Sequence, residues 1–207
     1  QDRGQAHRQC RRRPPADDSE LQRAKGLLSR ARKPVIIAGG GVLYSQAWVA
    51  LREFADAFGI PVTETHAGKS SLPWDHPLNL GAVGVTGSPA ANELLREADV
   101  VLAVGTRLQD FTTGSHSLFA NAQLLSLNVQ PHDAQKWSGT AMVADARVGL
   151  DQLRAACNGW TADDAWTSRA KALASRWNAR VSELTNNDPK DVLPYDAEVI
   201  GAVRESV

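Results

Sequence analysis

The chain has 207 residues, with 23 basic and 23 acidic side chains and a pI near 7.1. This neutral balance lacks the positive field typical of nucleic-acid binding, and no apolar run reaches the roughly 20 residues needed to cross a bilayer. We therefore expect neither nucleic acid nor a membrane as a partner. The two cysteines, Cys10 and Cys157, lie far apart without metal-ligand spacing, which favours a reducing, cytoplasmic location.

Residues 1–16 are polar and end close to Pro14-Pro15, which predicts a flexible lead-in rather than a folded element. The basic cluster inside it is typical of a solvated terminus, and a nucleic-acid arm is the alternative. The members of this cluster are Arg8, Arg11, Arg12 and Arg13.

Strands and helices are expected to alternate through residues 17–158. Helix starts are predicted at Asp17 or Asp18, Ser45, Ser88-Pro89 and Asp145, and strands at 35–38, 61–65, 79–83, 100–104, 124–129 and 141–144. The first and fourth of these strands are apolar throughout, which requires cover on both faces and therefore a central position. The fold class expected is α/β, with a doubly wound six-stranded parallel sheet of the Rossmann type.

Residues 159–195 predict a helical linker, because apolar side chains recur there at helical spacing. The stripe consists of Trp166, Ala170, Leu173, Trp177, Val181 and Leu184. It either packs onto the sheet domain or contacts a domain that this sequence does not contain. Residues 196–207 begin another helix without a stop signal, and we interpret them as the start of a truncated third domain.

Glycines follow the predicted strands, at the edge where ligands of open α/β sheets bind. Gly39-Gly40-Gly41 would let a phosphate approach the backbone, but Tyr44 stands where the dinucleotide fingerprint has its third glycine, so a tight turn without ligand explains it equally well. Gly81, Gly84 and Gly87 form a second candidate cradle.

Two charged residues at the same edge also have two interpretations each. Arg107 suits a phosphate or carboxylate, or it pairs with Asp110. Glu64 suits a ribose hydroxyl, or it is a solvated carboxylate at a strand end.

Few residues of this sequence are candidates for catalysis. The histidines that follow the strands have no metal-ligand spacing, and Ser115-His116 has no placed acid for a triad. Gly68-Lys69-Ser70 resembles the tail of a P-loop, but Thr63 replaces its first glycine. We expect no catalytic residue and no metal ligand in this chain.

Four segments in order resemble the central domain of thiamine-diphosphate enzymes of the acetolactate synthase type. They are RKPVIIAGGGV, PVTETHAGKSSLPWDHPLNLGAVGVTG, ADVVLAVGTRLQDF and LNVQPHDA, followed by VADARVGL, and they cover about residues 20–155. Within the family, the second and third are most similar to hydrolases that open a cyclic dione by C–C cleavage.

The resemblance implies a three-domain subunit that is a homodimer or homotetramer. Its first domain carries the glutamate that activates thiamine diphosphate, and its third carries a GDG…NN motif for magnesium and the diphosphate. No GDG…NN occurs here. The chain is then a non-catalytic middle domain whose first and third domains are missing, and we expect it to turn over nothing by itself.

The resemblance also implies a nucleotide site, because several relatives bind FAD or ADP in this domain. The contacts carried over by motif are Gly39, Gly40, Gly41, Gly68, Gly84, Gly87, Gly105 and Arg107, with Asn128 and Asp145 near the adenosine. Leu108, Gln109 and Asn128 depart from the flavin-binding pattern, so we expect a vestigial FAD or ADP site and a colourless protein. The alternatives are the central domain of an acetolactate synthase-like carboligase and a stand-alone FAD- or NAD-binding module.

Overall fold

The computed structural model describes residues 12–185 and 194–205, and its centre is a six-stranded sheet in the order β3-β2-β1-β4-β5-β6. All five strand pairings are parallel. The strands are β1 (Pro34–Ala38), β2 (Val62–Glu64), β3 (Asn79–Ala82), β4 (Val100–Val104), β5 (Gln123–Asn128) and β6 (Thr140–Val143). The predicted fold class is confirmed, and β1 and β4 are neighbours at the centre, as their apolar sequences require.

Helices cover both faces of this sheet. In the described part of the chain they are α1 (Asp18–Leu28), α2 (Gly40–Tyr44), α3 (Trp48–Phe58), α4 (Pro89–Glu97), α5 (Asp110–Thr113), α6 (Pro131–Ala134), α7 (Ala146–Ala156), α8 (Asp164–Thr185) and α9 (Asp196–Glu205). α1, α3 and α7 supply one buried apolar cluster, whereas α4 and α8 supply the other.

Strand β1 explains why two clusters form. Ile36 and Ala38 belong to the cluster on one face, while Val35 and Ile37 belong to the cluster on the other, since successive side chains of a strand point to opposite faces. All four side chains are fully buried. A strand apolar at every position is therefore stable only where helices cover both sides.

Three of the predicted helix starts are confirmed, and the first is Asp17, whose carboxylate accepts from the N–H of Ser19 at the start of α1. Ser88 accepts a hydrogen bond from the N–H of Ala91 and precedes Pro89 at the start of α4. Asp145 accepts from the N–H groups of Arg147 and Val148 at the start of α7. Gly59 ends α3 in the left-handed conformation (φ +66°), which glycine adopts without a steric penalty.

The predicted helix start at Ser45 is wrong. The chain enters the short helix α2 directly after Gly39, Ser45 is the residue that ends α2, and α3 begins at Trp48 after Ala47. The physical reason is Gln46, whose left-handed backbone (φ 54°) separates two helices where the apolar periodicity suggested one.

Helix α8 packs onto the sheet domain through the first half of the predicted stripe. Trp166, Ala170 and Leu173 are buried, and the indole N–H of Trp166 donates to the carbonyl of Pro34 at 2.9 Å. The second half leaves the core, since Leu184 is 45% exposed. Packing onto the domain is therefore the correct interpretation for the N-terminal half of the helix.

The end of the predicted lead-in is bonded to the domain. The guanidinium of Arg13 lies 3.2 Å from the carboxylate of Asp145 and also donates to the carbonyl of Ser45, while the N–H of Ala16 donates to the Gln152 side chain at 2.9 Å. Residues 1–11 lie outside the described residues, and so do two members of the basic cluster, Arg8 and Arg11, and part of the expected linker. Within residues 12–185 and 194–205, no helix is long and apolar enough to cross a membrane.

Candidate functional site: the cleft at the carboxyl edge of the sheet

A cleft of about 430 Å³ opens at the carboxyl edge of the sheet, between the segments that follow β1, β2, β4 and β5. Five residues of the predicted set line it, namely Gly40, Gly41, Gly105, Arg107 and Asn128. The volume lies within the range of small-molecule sites. The topology thus brings half of the predicted residues to one cavity at the position where doubly wound sheets bind ligands.

The glycines after β1 allow two backbone segments to touch. A Cβ atom on Gly41 would lie 2.6 Å from the Cα of Gly105, and one on Gly39 would lie 2.6 Å from the Cβ of Thr106. The N–H of Gly39 donates to the carbonyl of Val104 and the N–H of Gly41 to that of Gly105. The N–H groups of Gly39 and Gly41 are therefore already bonded, and these two glycines serve the contact between the turns after β1 and β4.

In the second candidate cradle, the backbone groups of Gly84 and Gly87 are likewise bonded within the fold. Gly84 adopts φ +111°, and its N–H and carbonyl both bond the side-chain amide of Asn92. The N–H of Gly87 donates to the carbonyl of Gly84, and a Cβ on Gly87 would lie 2.6 Å from the Gly84 nitrogen. Gly84 and Gly87 do not line the cleft; they form a compact turn that leads into α4.

Arg107 is the exposed cation of the cleft. Its guanidinium forms no ion pair with any residue in the described segments, so the alternative pairing with Asp110 is absent. Only the backbone of Arg107 is fixed by a neighbouring side chain. The ammonium of Lys136 donates to the Arg107 carbonyl at 2.7 Å and pairs with Asp133 at 2.9 Å. Its charge is therefore available at the cleft mouth.

Three more predicted residues have structural partners in this fold. Asn128 donates to the carbonyl of Thr106 at 3.0 Å and accepts from the N–H of Gln130, which ties together the turns after β4 and β5. Gly68 passes over the end of β1, where a Cβ atom would clash with the Ala38 carbonyl. Asp145 lies outside the cleft and caps α7.

Glu64 is a buried side chain at the end of β2. It is 1% exposed, its Oε1 accepts from the N–H of Leu72 at 3.0 Å, and its Oε2 lies 3.9 Å from the ammonium of Lys69. The side chain thereby holds the loop that follows β2. The interpretation as a solvated carboxylate is wrong, because the loop folds back over the strand end, whereas the contact with a ribose stays a prediction.

The sequence analysis did not identify several residues of the cleft. Tyr44, Thr65, Thr106 and Phe111 line it, and the ring of His66 contacts that of Phe111 edge-on at 5.3 Å. The one feature of the sequence that could have identified them is their position, since each follows a strand by a few residues. Across residues 12–185 and 194–205, no group of three or more histidine, cysteine or acidic side chains could hold a metal ion.

The fold defines the class of protein: a doubly wound, Rossmann-like α/β domain with a cleft at the carboxyl edge of its sheet. Residues 21–153 match the family model described as "Thiamine pyrophosphate enzyme, central domain". The chain belongs to this family, and the predicted resemblance is confirmed.

Curated relatives carry a more specific name. The chain is 40% identical over 176 residues to the 3D-(3,5/4)-trihydroxycyclohexane-1,2-dione hydrolase of Clostridium perfringens, which covers 84% of this chain and 28% of the relative. The proteins of that name from Geobacillus thermodenitrificans and Clostridium tetani are each 39% identical over 178 residues, covering 86% and 84% of this chain and 27% of each relative. The chain thus spans a little over a quarter of the length of these relatives.

Proposed function

We propose that this chain is the non-catalytic central domain of a longer thiamine-diphosphate-dependent hydrolase that cleaves a C–C bond of 3D-(3,5/4)-trihydroxycyclohexane-1,2-dione. The observation that carries the proposal is the 40% identity over 84% of the chain to a hydrolase of that name. When bound, thiamine diphosphate would supply the electron sink for C–C cleavage. Its binding residues and the magnesium site would lie in the first and third domains of the same polypeptide.

The residues of this chain would act as a scaffold. The cleft contains the cation Arg107, but the described segments contain no group of histidine, cysteine and acidic side chains that could hold a metal ion. The proposal includes a homodimeric or homotetrameric parent and a cytoplasmic location, which the free, buried Cys157 supports.

The test compares the full-length protein with this chain alone. With thiamine diphosphate and magnesium, the full-length protein should open the cyclic dione, and this chain should not. Activity of the chain alone would contradict the non-catalytic role. A full-length protein that instead joins two pyruvate molecules would replace the hydrolase by the carboligase alternative.

We also propose that the cleft is a vestigial FAD or ADP site that binds anions weakly through Arg107. A charge-assisted hydrogen bond contributes on the order of 1.5–3 kcal/mol, so Arg107→Ala should weaken ADP binding roughly 10–100-fold. Titration calorimetry with ADP and with FAD measures the effect. Arg32→Ala, at an exposed arginine that precedes β1 at the opposite edge, is the matched control and should leave both affinities unchanged.

The same site predicts a colourless protein, because the backbone N–H groups of Gly39, Gly41, Gly84 and Gly87 are bonded within the fold. A flavin that stays bound through purification, visible as a yellow colour, would contradict the vestigial character. An unchanged ADP affinity in Arg107→Ala would contradict the role of Arg107. It would leave the proposed dione hydrolysis untouched, since that activity is measured separately.

A further inference from the structure

A hollow of about 700 Å³ opens at the amino edge of the sheet, opposite to the cleft described above. One wall is the second half of α1 with the turn after it, and the other wall is formed by the segments that lead into β5 and β6. The volume lies within the range of sites that hold small molecules. We call it the amino-edge hollow, and five residues of its lining carry the argument: Arg23, Gly26, Arg30, His116 and Trp137.

The amino-edge hollow is positively charged. Arg23 and Arg30 lie seven positions apart, about two helical turns, so both side chains reach the same space. Among the described residues neither guanidinium forms an ion pair, and Arg23 donates to the hydroxyl of Ser19 at 3.2 Å. None of the described residues that line the hollow is acidic. The two charges are therefore available to an anion.

Arginines at two other hollows of the described chain are already neutralised. Between α3 and α7, Arg154 pairs with Glu53 at 3.2 Å. Beside α8, Arg176 pairs with Glu93 at 3.1 Å. These contacts are ordinary surface ion pairs, which contribute little and imply no ligand. The amino-edge hollow differs from both because its arginines lack such a partner.

Two aromatic rings form part of the opposite wall. The ring centroids of His116 and Trp137 lie 4.3 Å apart, and the buried ring of Phe119 lies 5.5 Å from that of His116. Trp137 is 39% exposed, so part of its indole is open to a ligand. Planar rings stack on such an indole, and this contact tolerates many kinds of ring.

The backbone that presents these two rings is strained. Ser115, His116, Trp137 and Ser138 all adopt left-handed conformations, with φ between 54° and 66°. Residues with a side chain rarely adopt this conformation, and it persists only where the surrounding structure holds it. Strain of this kind is concentrated at functional sites. Two strained pairs that bring their rings together at one hollow therefore support a binding role.

Gly26 also lacks a structural reason to be glycine. It lies inside α1, where glycine is less favourable than alanine. A Cβ atom at this position would meet nothing within 4 Å, and the backbone is not in the left-handed conformation. Neither packing nor backbone geometry requires glycine here. What the missing side chain does is leave space in the hollow between Arg23 and Arg30.

We propose that the amino-edge hollow binds a small aromatic phosphate, with its planar ring on Trp137 and its phosphate group held by Arg23 and Arg30. Arginine donates paired hydrogen bonds to phosphate oxygens, and two arginines suit a group that carries nearly two negative charges. The hollow lies at the edge of the sheet opposite to Arg107. This site is therefore separate from the proposed nucleotide cleft and goes beyond the proposed hydrolase.

Titration calorimetry of this chain with phenyl phosphate tests the proposal. For a ligand of this size we expect a Kd of about 0.1–1 mM. Inorganic phosphate lacks the ring and phenol lacks the charge, so each should bind at least about tenfold more weakly. Inorganic phosphate that binds as tightly as phenyl phosphate would overturn the proposal, since charge alone would then explain the binding. Absence of phenyl phosphate binding up to about 10 mM would also overturn it.

Four variants locate the site. Arg30→Ala and Trp137→Ala should each weaken phenyl phosphate binding roughly 5–10-fold, because each removes one of the two proposed contacts. Gly26→Leu should weaken it at least about tenfold, since leucine is a good helix former and its side chain would fill the hollow. Arg96→Ala, at an exposed arginine of α4, is the matched control and should leave the affinity unchanged. Far-UV circular dichroism checks that each variant is folded.

The indole N–H resonances of the unaltered chain provide a second measurement that needs no change in the site. The Trp137 signal, assigned by its loss in Trp137→Phe, should move on addition of phenyl phosphate. The signal of the buried Trp166, which donates to Pro34, should stay. An unmoved Trp137 signal, or an affinity that Gly26→Leu leaves unchanged, would overturn the proposal. Binding that is lost in Arg107→Ala instead would assign phenyl phosphate to the cleft and would equally overturn it.

Discussion

Replacing Gly39 by alanine should destabilise the domain by about 3 kcal/mol or prevent its folding, because overpacking against a rigid backbone has effects of this size. The new Cβ atom would lie 2.6 Å from the Cβ and 2.7 Å from the Cα of Thr106, and it would also clash with the Gly105 carbonyl. The turn cannot retreat, since Gly39 donates to Val104 at 2.8 Å and Gly41 to Gly105 at 2.9 Å.

Urea unfolding followed by far-UV circular dichroism measures this effect, with Gly26→Ala as the matched control. Gly26 lies inside α1, and a Cβ atom there would meet nothing within 4 Å. Alanine is the better helix former, so this control should gain roughly 0.5–1 kcal/mol. If Gly39→Ala were as stable as the unaltered chain, the close contact between the turns after β1 and β4 would be wrong.

Replacing Trp166 by alanine should lower the unfolding free energy by about 3–5 kcal/mol, the usual cost of removing a large buried aromatic side chain. Trp166 is 4% exposed, and its indole donates to the Pro34 carbonyl at the beginning of β1. It therefore joins α8 to the centre of the sheet. The same unfolding measurement checks this prediction.

Two further variants separate the contributions of Trp166. Trp166→Phe keeps most of the apolar contact and leaves the Pro34 carbonyl without its donor, so about 1–3 kcal/mol should be lost. Trp137→Ala, at an indole that is 39% exposed and contacts the His116 ring at 4.3 Å, should lower the unfolding free energy by only about 0.5–1.5 kcal/mol. A Trp166→Ala variant no less stable than Trp137→Ala would show that α8 is not anchored through this residue.

The hydrogen-bond partners of Gly39 and Gly41 decide in part between the two interpretations of the glycine-rich turns. Gly39 and Gly41 were equally compatible with a phosphate cradle or with a tight turn, and the structure places their N–H groups on carbonyls of the β4 segment. Asn128 likewise joins neighbouring turns. What supports an anion at this edge is therefore the cleft and the charge of Arg107, and not a set of free backbone donors.

Local chemistry was sufficient wherever a residue acts on its immediate neighbours. Ser88-Pro89 and Asp145 start helices, Gly59 ends one, and the apolar run Val100–Val104 is a central strand, because capping, backbone conformation and strand burial depend on a few adjacent residues. The order of motifs along the chain was likewise enough to predict the family.

Tertiary structure alone decided the roles that depend on partners far along the chain. Gly39 meets Thr106, Asn92 bonds Gly84, and Glu64 is covered by a loop that returns to Leu72. Residue type and spacing predict that such groups lie at the carboxyl edge, but not which atoms satisfy them. That choice is made when the strands assemble and bring their turns together, so that most buried donors and acceptors bond the groups that the fold places within reach.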